Sequence, residues 1–211
     1  MLRTRMKDRS ITGFVQIAIS VKSWMKSPPP VEVVRPGRCP RCGAASRPEG
    51  GGLQMHGHGL RERQLRGVLE PGGQPVIVVL LLRRFLCLVC GCVATVVPRG
   101  VVRGRLYSAG AIALALALFG IGELSEAAVR ERSSPWKIVG PTAAKGWCTL
   151  RRWVRAIRSG RLWPGVAALR EGWTVRAVAR RVASVLAASG PVELRSADPA
   201  AAVFVAAARG L

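Results

Sequence analysis

Two stretches in the first half of the chain have the texture of strands. Val76 to Leu86 is rich in Val, Ile and Leu, and Leu53 to Leu69 runs between the turn signals Glu49-Gly50-Gly51-Gly52 and Pro71-Gly72-Gly73. Segments of this length set between such breakers predict a small antiparallel sheet. From Tyr107 onward the texture changes to Ala, Leu and Arg at helical spacing. That period predicts helices over 108–119, 123–132, 146–159 and 174–188. Ser125 or Gly122 can open the second, Gly160 can close the third, and Gly190-Pro191 stops the fourth. The last twenty residues are Ala-rich and weakly specified.

The fold class expected is therefore α+β, a small antiparallel sheet followed by an all-α bundle. Residues 1–38 read as an N-terminal arm and Pro-rich linker, because Ser27-Pro28-Pro29-Pro30 cannot continue a helix and should run extended. Residues 39–98 hold the sheet, 99–165 a helical domain, and 166–211 a C-terminal helical extension. The start of the chain imitates a signal peptide, with basic residues through Arg9 ahead of the apolar stretch Ile11 to Val21. No small-residue cleavage site follows cleanly, and Lys22 and Lys26 arrive at once, so a cytoplasmic protein is expected. The longest uncharged run, Leu106 to Gly122, has 17 residues, at the lower limit for a bilayer span. Its alanines and other small residues favour a buried helix over a membrane segment.

Charge narrows the partner. The 211 residues carry 33 Lys and Arg against 11 Asp and Glu, a formal net charge of +22. Such a field wants a polyanion, which makes nucleic acid the leading partner, with nucleoid association expected, and an anionic membrane surface the competitor. Arg supplies most of it, and its planar fork suits phosphate and guanine edges.

Four of the six cysteines form two pairs of one grammar, Cys39-Pro40-Arg41-Cys42-Gly43 and Cys87-Leu88-Val89-Cys90-Gly91. Two thiols three positions apart point at one ion, and the following glycine accepts the positive φ such a turn needs. Cys39, Cys42, Cys87 and Cys90 are thus the expected ligands of one structural Zn2+, with no position left for water or a small-molecule substrate. Forty-four residues separate the pairs, so the metal would close a long loop and stabilise a glycine-rich sheet. A redox dithiol fits less well, since that motif is a single pair between strand and helix. Cys92 is read as a packed or free thiol that could stand in as a ligand, and Cys148 has no assigned chemistry. His56-Gly57-His58 with the lone Tyr107 has the outline of a metal-dependent single-strand nuclease. Glycine where that chemistry wants a bulky apolar residue makes exposed loop histidines the preferred reading.

Within Trp147 to Ser159, Leu150, Trp153, Val154 and Ile157 share one helical face, while Arg151, Arg155 and Arg158 stack on another. That is how a recognition helix is built, although a solvated surface helix has the same pattern. Arg151, Arg152, Arg155 and Arg158, with Arg103 and Arg105 upstream, are the nucleic-acid candidates. The run Arg84 to Gly91, then Thr95-Val96-Val97-Pro98, resembles the second knuckle of the zinc ribbons near the N-termini of bacterial insertion-sequence transposases and of small related proteins. Trp147-Cys148-Thr149-Leu150-Arg151-Arg152-Trp153 resembles the third helix of the helix-turn-helix that follows such ribbons. The resemblance covers residues 36–162 and implies that the sheet of 39–98 is a zinc ribbon, that 99–165 is a helix-turn-helix-like domain, and that the protein binds DNA. It departs at the chemistry: such transposases cut with three carboxylates on a ribonuclease-H-like sheet. This sequence has two aspartates in all, Asp8 and Asp198, and only Glu193 and Asp198 are acidic after Arg181. The expectation is a transposase-related or regulator-like DNA-binding protein that is not an enzyme. An RNA-binding or ribosome-associated ribbon, and a membrane-bound or partner-bound scaffold, are the alternatives.

Overall fold

The computed structural model describes residues 12–141, 146–166 and 169–209, so Asp8 and the basic residues through Arg9 lie outside the described residues. It is a mixed α/β protein whose chain divides into two compact units, residues 1–63 with 79–99 and residues 64–78 with 100–211. The strands are β1 (Thr12–Ser20), β2 (Met55–Gly67), β3 (Val76–Cys87) and β4 (Val93–Arg99), in the sheet order β1-β4-β3-β2. The two strands predicted from sequence are β2 and β3. β3 runs antiparallel to β4, with Phe85 opposite Ala94, but β1 runs parallel to β4, with Thr12 opposite Val93. The sheet is therefore mixed, not antiparallel throughout. The β1–β4 register shifts between Ile17 and Ser20, beside Pro98, whose ring nitrogen has no proton to give the ladder.

The supposed arm is part of this first unit. After β1, Ser20 caps the short helix α1 (Val21–Lys26) by accepting from the Ser23 amide at 3.1 Å. Trp24, only 1 % exposed, donates its indole N–H to the Leu81 carbonyl at 2.9 Å. Pro28 to Pro30 is non-helical, as expected, and leads directly into the single turn α2 (Val31–Val34). Arg83 donates to the Pro29 carbonyl at 2.9 Å, so this segment is tied down and is not a free linker. The physical reason is burial: Trp24 and Val34 join Met55, Leu80, Leu82, Phe85, Val96 and Val97 in the core, removing apolar surface that the sheet alone would leave wet.

The second unit is built around α3 (Ala109–Gly120), which is buried on nearly every face. α4 (Glu126–Ser133), α5 (Cys148–Arg158), α6 (Val175–Ala188), α7 (Val192–Ala197) and α8 (Pro199–Arg209) complete its described helices. Their ends follow local chemistry: Ser108, Ser125 and Thr174 cap α3, α4 and α6 through side-chain oxygens. The small residues of α3 let α6 and α8 approach closely, and the buried face of α8 includes Val203, Phe204 and Ala207. The C-terminal region is thus core and not an extension, because its alanines find a partner as narrow as themselves. No helix among the described residues is long and apolar enough to cross a membrane. α3, α4 and α5 occur in the expected order. However, residues 134–147 separate α4 from α5, whereas a helix-turn-helix uses a turn of about 3–4 residues.

Candidate metal centre and basic helix

Each cysteine pair folds as the same backbone knuckle. The Gly43 amide donates to the Cys39 carbonyl at 3.0 Å and the Cys39 amide to the Ala44 carbonyl at 2.9 Å. At the second pair, the Gly91 amide donates to Cys87 and the Cys87 amide to Cys92, both at 2.9 Å. Gly43 and Gly91 stand at φ +74° and +68°, the left-handed turn that redirects the chain after each second thiol.

The knuckles bring four sulfurs together. Sγ of Cys39 lies 3.7 Å from that of Cys90, Sγ of Cys42 lies 3.8 Å from that of Cys87, and all four fall within 4.8 Å of one another. These are not disulfide distances, which are about 2.05 Å, and all the cysteines are free. An ion bound by thiolates at about 2.3 Å in a tetrahedron spaces its sulfurs by roughly 3.8 Å. The four cysteines can therefore hold a metal ion. Cys39 and Cys87 are buried and Cys42 is exposed, so the site lies at the edge of the core.

The ionisation of the thiols carries the mark of this crowding. Burial raises the Cys39 thiol, but the backbone amides of Cys42 and Arg41 and the neighbouring thiols outweigh it and bring it down to about 6. The amide of Cys92 pulls Cys90 the other way, yet burial and its three sulfur neighbours leave Cys90 pushed up to about 12. Sulfurs this close cannot all carry charge alone; a cation among them removes the conflict. Two guanidiniums border the cluster, Arg41 donating to the Cys90 carbonyl at 3.3 Å and Arg38 to the Gly43 carbonyl at 3.1 Å. Sequence reasoning passed over both, although Arg flanking a cysteine pair is itself a signal for an anionic thiolate site.

Cys92 is not in the cluster. It is fully buried, and burial raises its thiol. Cys148 is exposed at the start of α5. His56 and His58 lie on β2, not in a loop, and both are exposed. His56 Nε2 stands 2.8 Å from the Leu53 carbonyl. Tyr107 is buried, with its hydroxyl donated to Ser134 Oγ at 3.1 Å and its ring edge-on to Trp147 and Trp153. Its oxygen already has a structural job.

α5 is amphipathic as its spacing predicts. Leu150, Trp153, Val154, Ala156 and Ile157 are buried, and Arg151, Arg152, Arg155 and Arg158 are exposed. The four are not equivalent. Arg151 Nε pairs with Glu126 Oε1 at 3.2 Å, and Arg158 donates to the Trp173 carbonyl. Arg152 and Arg155 show no such bond to any described residue. Arg103 and Arg105 sit in the turn before α3, the first exposed and the second half-buried. Comparison with protein-family models, with curated proteins and with solved structures returns no match.

Proposed function

We propose that this chain is a non-catalytic DNA-binding protein whose first unit is stabilised by a structural zinc ion. Four thiolates at tetrahedral spacing suit Zn2+ among the common divalent ions, and an iron–sulfur centre is the competing use of such a set. Bound zinc would supply folding free energy and, with four protein ligands, would have no position open for water. Cys39, Cys42, Cys87 and Cys90 would hold it, with Arg38 and Arg41 balancing the excess negative charge of four thiolates around a divalent ion.

One observation carries the DNA reading: α5 turns its apolar face inward and leaves Arg152 and Arg155 exposed and uncommitted among the described residues. The described part of this unit has seventeen Lys and Arg against seven acids, so little neutralises the row locally. Arg151 and Arg158 flank it but are also structural. An exposed aromatic sheet would favour RNA; Phe85 is fully buried.

The test is anisotropy of a labelled DNA duplex titrated with zinc-loaded protein across a salt series. Affinity should fall with salt in proportion to the phosphates contacted. A duplex that never binds at low salt would sink the proposal, and tighter, sequence-dependent binding of RNA would replace it.

A further inference from the structure

The connection between α4 and α5 has a fixed root and a bare apolar tip. Ser134 Oγ accepts from the Tyr107 hydroxyl at 3.1 Å and from the Trp136 amide at 3.4 Å. The Arg66 guanidinium lies 5.6 Å from the centre of the Trp136 ring. Pro135 stiffens the exit from α4, and Gly140-Pro141 follows the tip. Beyond that root, Trp136 is 50 % exposed, Ile138 40 % and Val139 85 %, with Lys137 among them. A cleft of about 750 Å³ runs beneath, lined in part by Gln74, Pro75, Ala128, Glu131 and Lys137.

A tryptophan and two branched aliphatics left in water just beyond an anchored root expose surface that folding normally hides. The other tryptophans are buried or, at Trp173, no more than partly exposed. The occupant is indicated by charge. Lys137 sits inside the apolar run, the Arg66 guanidinium lies over the ring, and Arg130 of α4 lines the cleft, against the single acid Glu131 in its wall. Apolar side chains with cations beside them suit a ligand with flat apolar faces inside a phosphate shell, which describes duplex DNA entered between base steps. A membrane surface would also meet cations, but among the described residues the bare segment is one short strap, with no amphipathic helix to lie in an interface.

We infer that the strap Trp136–Val139 is a wedge that enters the DNA groove and unstacks a base step while Lys137 meets the adjoining phosphate, a contact that rests on the DNA-binding reading and adds to the arginines of α5. Unstacking kinks the duplex, so binding and bending are separable.

The experiment uses full-length zinc-loaded protein and a mixed-sequence DNA duplex carrying a donor and an acceptor dye at its ends. Wild type should bind, draw the dyes together and lose tryptophan emission as Trp136 meets the bases. Trp136→Ala should lose the bend and most of the quenching, with affinity about tenfold weaker. Trp136→Phe should keep the bend while losing the quenching, and matched circular dichroism spectra would show that both variants fold. A Trp136→Ala protein that binds and bends like wild type overturns the wedge and leaves the DNA reading standing. Failure of wild type to bind the duplex overturns the DNA reading instead, and the wedge with it. Trp136 protection by anionic vesicles or by rising protein concentration, with no response to duplex, overturns the wedge in favour of a lipid or a second copy.

Discussion

A Cβ placed on Gly120 would lie 2.3 Å from the backbone nitrogen of Arg180, so the end of α3 and the middle of α6 meet backbone to backbone. Arg180 then donates from Nε to the Gly120 carbonyl at 2.9 Å, and Arg176 donates to Leu124 at 3.1 Å. Two guanidiniums from α6 thus serve carbonyls in and just beyond the last turn of α3.

Gly120→Ala should therefore destabilise the second unit although alanine is the better helix former. No flexible side-chain end stands in the way, only backbone, so the helices must separate. Overpacking of this kind costs roughly 1–3 kcal/mol, read as a lower urea midpoint with unchanged metal content.

Trp24→Ala tests whether residues 12–26 belong to the core. Removing a fully buried indole and its bond to Leu81 should cost about 3–5 kcal/mol. Chemical denaturation would measure it; a loss below about 1 kcal/mol would restore the view of this segment as a dispensable arm.

At the cysteine cluster, one metal ion per chain is expected by elemental analysis, and Cys42→Ser should lower that occupancy sharply. Gly43→Ala isolates the turn, because open space surrounds the position and only its positive φ opposes a side chain. The cost should be about 1–2 kcal/mol, seen as weaker metal retention against a chelator. Gly43→Asn should cost less, since asparagine tolerates that conformation. Equal losses for both variants would mean that the turn's φ is not what limits the site.

Arg152→Ala with Arg155→Ala should weaken duplex binding and flatten its dependence on salt, by about 0.9 in log–log slope for each phosphate no longer neutralised. Thermal stability should not change. Arg151→Ala should behave differently. Glu126 has one carboxylate oxygen on Arg151 and the other buried with no bond, so removing the guanidinium strands a largely buried acid. A stability loss of roughly 1–3 kcal/mol is expected there, whether or not DNA is present. If the double variant also unfolds, the division of labour along α5 is wrong.

The helices are where sequence and structure agree most closely. Predicted spans 108–119 and 174–188 became α3 and α6 within a residue at each end, because capping by Ser108 and Thr174 is decided by neighbours in the chain. α4 begins at Glu126 behind its cap Ser125, one of the two openings anticipated. The apolar face of α5 was equally legible, since helical period alone sorts buried from exposed positions.

What sequence determined by itself was local: the two cysteine knuckles with their left-handed glycines, the strands β2 and β3, and the stripe of arginines facing away from Leu150, Trp153 and Ile157. Tertiary structure alone decided that β1 lies parallel to β4, that Phe204 and its alanine neighbours pack into the second unit's core, and which arginines are spent on Glu126 and on backbone carbonyls. The division has one physical cause. Caps, turns and periodicity are set by residues within a few positions of each other, whereas strand partners and ion pairs join residues far apart in the chain, where many pairings are compatible with the same local pattern and only the packed core selects among them.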